Sequence, residues 1–322
     1  MEVGLAHFHE GVNSSLIDRE SIRMLPIPTH SNYDPCNAWR LRQLIVRHKP
    51  DVVFSWLHAS DAFTWGARML GAEFKWAMAE RDSWYPKDPR YWIRDRAGQH
   101  ADLIVSNSDK GNLYWSSRGV PEARRKVVGN VLPDSWFGAR DAWPSAPFIC
   151  FTGRMEPQKE VLRLTDAFVA LSRERPDIRF AMVGDGSLRG EVETTLASSA
   201  EGAISLLHFQ ENVRPLFERT SVFVNISTHE GKPNTVIENL ALGNRVVLSR
   251  IPEHVELVGD DYPFLVDPQS EPHVIAAMME TALSNPVGED ERRVFHSRLE
   301  YMRVSRVAGQ YAEILFELSG RI

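Results

Sequence analysis

Two acidic side chains, Glu230 and Glu238, lie in a segment that joins a predicted strand to a predicted helix. The chain breaks at Gly231 and enters the helix at Pro233, near the first helical position, where a missing N–H costs nothing. Three amides at this helix start would be free to bind an anion such as a phosphate: those of Asn234, Thr235 and Val236. Both carboxylates can face one small volume, where they would accept hydrogen bonds from a sugar ring and a ribose diol. The plainer alternative is a loop charge and a solvated helix residue.

A second segment, Gly153 to Glu160, follows the first predicted strand of the same half of the chain. Gly153 permits a tight turn, and Arg154 and Lys159 bring two cations to the end of that strand. A departing nucleoside diphosphate gains negative charge on its β-phosphate, and fixed cations in a dry site stabilise that transition state. Taken alone, the pair is equally consistent with a surface salt bridge.

A third segment, Val183 to Leu188, predicts a strand that enters a helix through a Gly-x-Gly turn at Gly184 and Gly186. It lacks the third glycine of a nicotinamide fingerprint and lies in the second strand-helix unit, whereas a dinucleotide site uses the first. We interpret these glycines as backbone that shapes a nucleotide pocket. An ordinary strand-to-helix turn is the alternative.

Together the three segments resemble the C-terminal half of retaining glycosyltransferases of family 4, which have the two-domain GT-B fold. The family pattern is Gly-Arg…Lys, Gly-Asp-Gly, and two glutamates separated by seven residues before a helix that ends in Gly-x-x-Val-Val. The resemblance is strong from Phe148 to Asp267 and looser from Asn37 to Asn130. Lys232 and Asn239 depart from it, because the family often has an apolar residue and an alanine there.

The resemblance implies a role for each matching residue. Arg154 and Lys159 would bind the donor diphosphate, Glu238 the ribose and Glu230 the hydroxyls of the transferred sugar. It also implies retention of anomeric configuration without a metal or cofactor. The predicted catalytic residues are Glu230, Arg154, Lys159 and Glu80. The predicted donor-binding residues are Gly153, Arg154, Lys159, Gly184, Gly186, Glu230, Lys232, Pro233, Asn234, Thr235 and Glu238.

The N-terminal half is expected to bind a glycan or lipid-linked acceptor through residues at predicted strand ends. Many family members have a histidine after the strand that corresponds to residues 75–78, where this chain has Glu80 and Arg81. This pair resembles a subset of the family that acts on polysaccharide or lipid-linked acceptors; an ion pair at a cleft edge is the alternative. His58 follows another predicted strand. It is either a residue that contacts the acceptor or a histidine packed within a loop.

One segment interleaves aromatic and basic side chains, a composition that suits a membrane interface. A helix that packs its tryptophans inward is the alternative. The residues are Trp84, Tyr85, Lys87, Arg90, Tyr91, Trp92, Arg94 and Arg96.

The elements that must position these residues alternate between strand and helix, which predicts parallel α/β sheets with right-handed crossovers. Strands are predicted over 1–8, 51–56, 75–78, 103–105, 126–128, 148–151, 179–183, 204–207, 222–226 and 245–248. Helices are predicted over 37–48, 60–70, 109–117, 161–173, 188–197, 233–242, 273–283 and 305–318. A proline-rich stretch between 132 and 147 predicts a linker.

We therefore predict two Rossmann-like doubly wound domains that face each other across a cleft, the GT-B arrangement. The first, residues 1–138, would bind the acceptor, and the second, 146–300, the nucleotide sugar. A C-terminal helix over 301–322 is expected to pack back toward the first domain. Compared with the family, the opening strand, glycine-rich loop and helix are missing, which indicates either a start placed too far downstream or a shortened relative.

Composition bounds the class of protein. The chain has 322 residues, 43% apolar and 25% charged, with a net charge of −6 and no basic stripe, so a dedicated nucleic-acid binder is disfavoured. Cys36 and Cys150 lie far apart and predict free thiols. No run approaches the about 20 apolar residues that cross a bilayer, and no signal peptide is recognisable. We expect a cytoplasmic protein with a possible peripheral contact at the inner membrane face.

Competing functions remain open at this stage. A GT-B epimerase or phosphorylase would use the same scaffold, although a phosphorylase needs a lysine-bound pyridoxal that we cannot locate. A catalytically impaired nucleotide-sugar-binding protein is the alternative from another class. No Asp-x-Asp metal motif is present. The donor base, the sugar, the acceptor and the oligomeric state are not readable from the residues.

Overall fold

A computed structural model describes residues 2–11, 14, 17–31, 34–81, 85, 88–138, 146–199 and 202–320. Asp82, Trp84 and Lys87 lie outside these ranges, as do residues 139–145 of the predicted linker. The chain divides into two compact units. Unit 1 comprises Met1–Gly129 and Ala308–Ile322, and unit 2 comprises Asn130–Val307.

Unit 2 contains a six-stranded parallel sheet, as the alternating pattern predicts. Its order is β12-β11-β10-β7-β8-β9, so the winding reverses between β7 and β10. The central strands are apolar on both faces because helices cover both sides of such a sheet. The strands are β7 (Phe148–Thr152), β8 (Arg179–Val183), β9 (Ile204–Leu207), β10 (Val222–Asn225), β11 (Arg245–Ser249) and β12 (Leu265–Val266).

The core of unit 2 forms between this sheet and its helices. Its largest fully buried side chains include Phe151, Phe168, Phe180 and Phe223. The helices are α5 (Val161–Glu174), α6 (Arg189–Ser199), α7 (Arg214–Phe217), α8 (Asn234–Ala241), α9 (Pro252–Val258), α10 (Pro272–Leu283) and α11 (Glu289–Leu299). Helix α12 (Val304–Ser319) follows, and most of it belongs to unit 1.

Unit 1 contains two parallel sheets. One is a pair, β1 (Val3–His7) with β2 (Ile22–Pro26), and the other has four strands in the order β3-β4-β5-β6. These four are β3 (Val52–Ser55), β4 (Lys75–Glu80), β5 (Leu103–Ser106) and β6 (Arg125–Val127). The helices are α1 (Cys36–His48), α2 (His58–Met69), α3 (Pro89–Gly98) and α4 (Asp109–Ser117).

The division between the units falls nine residues before the predicted end of the first domain at 138. Leu132 explains the difference, because its side chain is buried in the core of unit 2 and its N–H donates to the Met302 carbonyl at 2.8 Å. Arg303 adds an ion pair to Asp134 at 2.9 Å. Residues 130–137 therefore belong to unit 2.

Several elements have no counterpart in the sequence predictions. Helix α11 has only Phe295 and Leu299 buried on an otherwise charged sequence, so its apolar periodicity is too sparse to detect. Helix α3 was expected, as one alternative, to pack its tryptophans inward. In the structure Trp92 is instead 70% exposed, whereas Arg94 is buried. The reversal is local, because Arg90 and Arg96 of the same helix are exposed and Ala97 is buried.

Gly184 fixes the contact between the first two strand-helix turns of unit 2. Its φ of 142° is rarely adopted by other residues, and a Cβ there would lie 2.0 Å from the Gly153 carbonyl oxygen. Gly186 makes a similar approach, with a Cβ position 2.4 Å from the Met155 carbonyl oxygen. Both glycines thus seat the loop that contains Arg154.

We predict that Gly184→Ala lowers the free energy of unfolding by about 2–4 kcal/mol, because the added methyl forces this loop away from β8. Gly190→Ala is the matched control: it lies in α6 with no atom within 4 Å of the added methyl and should be neutral or stabilising. Urea unfolding of both variants measures the effect. Equal stability of the two would contradict the assigned contact.

Candidate active site

The candidate site lies at the carboxyl ends of β7 and β10, where the winding of the sheet of unit 2 reverses. Ligands bind at such a switch point because the loops on its two sides diverge and leave a crevice. Two hydrogen bonds join the loops that follow these strands. The Gln158 Nε2 donates to the His229 carbonyl at 2.6 Å, and the Thr228 N–H donates to the Gln158 carbonyl at 2.9 Å.

Glu230 is buried at this junction and its carboxylate is held from one side. Oε1 accepts hydrogen bonds from the Lys159 ammonium at 2.5 Å, the Ser227 hydroxyl at 2.7 Å and the Asn225 amide at 3.2 Å. Oε2 has no hydrogen-bond partner among the residues that the structure describes. One oxygen is therefore fixed, and the other is available to a ligand.

The protonation state of Glu230 results from opposing effects. Burial alone raises the pKa of this carboxyl, but the Lys159 ammonium and the Ser227 hydrogen bond outweigh it and hold the pKa below its ordinary value. Glu230 is consequently an anion at neutral pH. An ionised oxygen without a donor is a strong acceptor for a hydroxyl group.

A buried histidine supports the same loop. His254, in α9, donates from Nδ1–H to the Ser249 carbonyl at 2.8 Å, and the Ser249 hydroxyl donates to the Ser227 carbonyl at 2.6 Å. Burial lowers the pKa of His254 to about 4, so the ring is neutral. Since Nδ1 holds the proton, Nε2 is a lone-pair acceptor, and it is buried without a partner among the described residues.

Glu238 is the fifth residue of α8; its side chain is half-buried and has no hydrogen-bond or ion-pair partner in the described parts of the chain. Burial raises its pKa to about 7. A desolvated carboxyl without protein hydrogen-bond donors is the state expected of a group that binds ligand hydroxyls.

Arg154 and Lys232 differ in their availability. Arg154 is exposed directly after Gly153 and has no partner among the described residues, so its guanidinium is available to an anion. The Lys232 side chain is buried, and its ammonium donates to Glu256 at 2.9 Å and lies 5.6 Å from the Tyr301 ring centre. A donor contact of Lys232 remains a prediction.

The start of α8 corrects one expectation. The Asn234 N–H donates to the Lys232 carbonyl and the Val236 N–H to the Pro233 carbonyl, both at 3.0 Å. Two of the three amides expected to meet an anion are therefore already satisfied, because residues 232–236 form tight turns. Among the described residues no such bond is found for the Thr235 amide, and its contact with an anion stays a prediction.

The predicted catalytic, acceptor-side role of Glu80 is wrong. This residue is fully buried in unit 1 and does not lie at an accessible edge. Its Oε2 accepts from Arg94 and Trp115, each at 2.6 Å, and its Oε1 accepts from the Tyr85 hydroxyl. Asp61 lies 3.5 Å from the same guanidinium. The ion pair of Glu80 is thus with Arg94, and the carboxylate balances a buried charge instead of facing an acceptor.

His58 and Arg81 lie at the carboxyl ends of β3 and β4, as predicted. His58 is half-buried with its ring centre 5.7 Å from that of Tyr91. Burial, assisted by the charges of Arg90 and Arg94, lowers its pKa.

Sequence reasoning missed the residues that hold Glu230: Asn225, Ser227, Ser249 and His254. Asn225 ends β10 and Ser249 ends β11, and both are buried polar residues after apolar strands. A polar residue at that position is a usable signal, because a buried polar group requires partners.

A cavity of about 730 Å³ lies elsewhere in unit 2, beside α7 on the sheet face that presents Arg179, Ala181, Ser205 and Leu207. It includes none of the candidate residues. The candidate site is therefore identified by its charges and unpartnered oxygens, not by enclosed volume.

Comparison with known proteins adds to this geometry. Residues 146–285 match the family model described as Glycosyl transferases group 1. Over this segment the chain is similar to the group 1 glycosyltransferases. The matched segment contains Arg154, Lys159, Glu230 and Glu238, and the resemblance to family 4 agrees with it.

The curated proteins to which this chain is similar include bacterial glycosyltransferases. A Campylobacter jejuni α-1,4-N-acetyl-D-galactosaminyltransferase, named for a PP-undecaprenol acceptor, is 25% identical over 62% of this chain and 55% of its own length. The lipopolysaccharide core glycosyltransferase LpsE of Rhizobium meliloti is 28% identical over 66% and 59%. A Mycobacterium tuberculosis GDP-mannose-dependent mannosyltransferase is 29% identical over 52% and 43%. The chain thus matches about half the length of these relatives.

Solved structures show the fold of this chain. HepE of Anabaena, in complex with UDP and glucose, superposes with a TM-score of 0.80 at 17% identity, covering 97% of this chain and 91% of that one. A glycosyltransferase of Rickettsia africae gives 0.75 at 17% identity, over 97% and 89%. The fold is GT-B, which confirms the prediction. Within the described residues, no helix combines the length and apolarity that a membrane crossing needs.

The raised pKa of Glu238 predicts a pH-dependent stability. With a folded-state pKa of about 7 against an ordinary 4.5, ionisation opposes folding: the penalty is absent below pH 4.5, grows between 4.5 and 7, and is complete above 7. We expect Glu238→Gln to match the wild type at pH 4.5 and to exceed it by about 2 kcal/mol at pH 8, after allowance for partial exposure.

Urea unfolding between pH 4.5 and 8 measures this difference. Glu193→Gln, at an exposed position of α6, is the control and should show a pH-independent offset. Parallel profiles for the wild type and Glu238→Gln would disprove the burial assigned to this carboxyl.

Proposed function

We propose that this protein transfers a glycosyl group from a nucleoside-diphosphate sugar to a glycan or lipid-linked acceptor. The observation that supports this best is the one-sided environment of Glu230, whose Oε1 is fixed by Lys159 while Oε2 has no partner among the described residues. An ordinary structural ion pair would satisfy both oxygens. The arrangement suits an anion that orients a polyhydroxylated ligand beside a cation.

In this proposal Arg154 and Lys159 bind the diphosphate of the donor. Both follow β7, on the Gly153 loop that Gly184 and Gly186 hold in place. As the glycosidic bond breaks, charge accumulates on the leaving β-phosphate, and two fixed cations stabilise it by several kcal/mol. They supply the charge that a divalent metal supplies in other transferases, so we propose that transfer needs no metal.

Two carboxylates would bind hydroxyl groups of the donor. Glu230, through Oε2, accepts from the transferred sugar, and Glu238 accepts from the ribose. Binding of a ribose diol favours the ionised form of Glu238 and therefore releases its proton near neutral pH. His254 and Ser249 support Glu230 through the Ser227 loop.

The relatives suggest the class of donor and acceptor. Their names specify N-acetylgalactosamine and mannose as transferred sugars, and PP-undecaprenol and lipopolysaccharide core as acceptors or products. We propose a hexose or N-acetylhexosamine donor, retention of its anomeric configuration, and a role in cell-surface polysaccharide synthesis at the cytoplasmic membrane face. Product NMR tests the configuration, and cell fractionation tests the location.

The donor is identified by thermal unfolding with UDP-, GDP- and ADP-sugars at saturating concentration. Ligands that bind only the folded state raise the melting temperature, and we expect one nucleotide class to raise it by several degrees, also in EDTA. UDP-sugars come first, because HepE was solved with UDP-glucose. If no nucleotide shifts the transition, donor binding is absent; a shift lost in EDTA would show a metal requirement.

Glu230→Gln tests the transfer step itself. The amide keeps the shape of the side chain but loses the charge beside Lys159 and weakens the acceptor at Oε2, so we expect at least a 10²-fold lower kcat, about 3 kcal/mol, with smaller loss of nucleotide affinity. Glu193→Gln should retain full activity. Undiminished transfer by Glu230→Gln would remove its assigned role, and nucleotide binding without transfer by the wild type would favour a binding protein.

A further inference from the structure

A strained turn in unit 1 ends β3. Leu57 has φ 77° and ψ 154°, a conformation almost restricted to glycine that costs about 1–3 kcal/mol in other residues. The turn is fixed by the Trp56 N–H, which donates to the Ser60 hydroxyl at 3.0 Å. Strain of this kind persists where the surrounding structure fixes a particular side chain in place. Here the neighbouring Trp56 is left 45% exposed.

Four side chains form what we call the Trp56 cluster: Phe54, Trp56, Arg81 and Tyr311. Arg81 directly follows β4, which pairs with β3, and its guanidinium carbon lies 4.9 Å from the Trp56 ring centre. Phe54 connects the other two rings, with centres 5.3 Å from Trp56 and 5.7 Å from Tyr311. All four belong to unit 1.

The polar groups of this cluster lack partners. Within the described residues, no hydrogen bond or ion pair is formed by the Arg81 guanidinium or the Tyr311 hydroxyl. Arg81 is half-buried, and this burial lowers its pKa; burial also raises the pKa of Tyr311. A cation that is partly removed from water and has no anion beside it is unfavourable unless a ligand supplies one.

Arg94, in the same unit, shows the opposite arrangement. It is buried, and Glu80 and Asp61 balance its charge at 2.6 and 3.5 Å. Glu80 precedes Arg81 in sequence, but both of its oxygens already accept from Arg94, Trp115 and Tyr85. Among the described residues at this end of the sheet, the Arg81 guanidinium is therefore a cation without an ion pair that a ligand can use.

We propose that the Trp56 cluster binds an anionic group of the acceptor, with the adjoining sugar ring stacked against Trp56. This inference rests on the proposed glycosyl transfer and specifies its acceptor as a sugar that bears a phosphate, diphosphate or carboxylate. The guanidinium pairs with the anion, the Tyr311 hydroxyl donates to it, and the indole face contacts the C–H groups of the ring. A neutral sugar would leave Arg81 uncompensated.

Binding to the full chain without donor tests this proposal independently of catalysis. Three soluble probes are compared by calorimetry: an N-acetylhexosamine linked to a short alkyl chain through a diphosphate, the matching neutral alkyl glycoside, and a hexuronate. The charged probes should bind at least tenfold more tightly than the neutral one, the gain of one or more charge-assisted hydrogen bonds. The tighter of the two charged probes identifies the source of the anion.

Arg81→Gln should abolish this preference, Arg81→Lys should retain part of it, and Tyr311→Phe should reduce it. Arg47→Gln, an exposed position in α1, is the matched control for charge and should bind like the wild type. Trp56→Leu keeps Arg81 but removes the ring, so it should weaken all probes and provides a second variant if Arg81→Gln fails to fold.

Equal binding of charged and neutral probes, no binding of any charged probe at millimolar concentration, or an Arg81→Gln variant that behaves like Arg47→Gln would each overturn the proposal. A protein that binds nucleotide sugars but none of these probes disproves the anionic acceptor alone. One that binds the probes but no nucleotide disproves the proposed transfer alone.

Discussion

The contact between Lys159 and Glu230 is the interaction on which the rest of the site depends. A buried ion pair is stable only when other hydrogen bonds compensate its desolvation, and here Ser227 and Asn225 provide them on one oxygen. The order of the strands brings β7 beside β10, and the two connecting loops are joined through Gln158. The sheet, the loops and the pair therefore form one unit: misplacing the Gly153 loop would leave a carboxylate buried without its counterion.

The two units treat buried charge in different ways. In unit 1 the carboxylates of Glu80 and Asp61 lie against the Arg94 guanidinium, whereas the Arg81 guanidinium forms no ion pair with any described residue. In unit 2 Glu230 is neutralised on one oxygen only, and Glu238 has no partner in the part of the chain that is described. We assign to substrates three groups that lack a partner among the described residues: Glu230 Oε2, the Glu238 carboxyl and the Arg81 guanidinium.

Sequence reasoning located the strands of both units except β2 and β12. It also located the segments of the candidate site, because glycines, cations and carboxylates at strand ends have distinctive spacing. It failed where the outcome depends on tertiary contacts. Glu80 stands at a strand end like Glu230, but α3 covers it with Arg94, and no local pattern indicates this. The amides of Asn234 and Val236 were predicted to bind an anion, but both donate to backbone carbonyls in tight turns. Ser249 and His254 support Glu230 from positions distant in sequence and remained invisible for the same reason.

Fixing Glu230 through a single oxygen has a stereochemical consequence. Three donors hold Oε1, so the direction of the lone pairs on Oε2 is set by the protein before any sugar enters. An axial and an equatorial hydroxyl at the same ring carbon point in different directions, and only one of them can meet an acceptor that does not move. Epimers that differ at one carbon, such as gluco and galacto forms, would then be distinguished by the rigidity of this carboxylate and not by the size of the pocket.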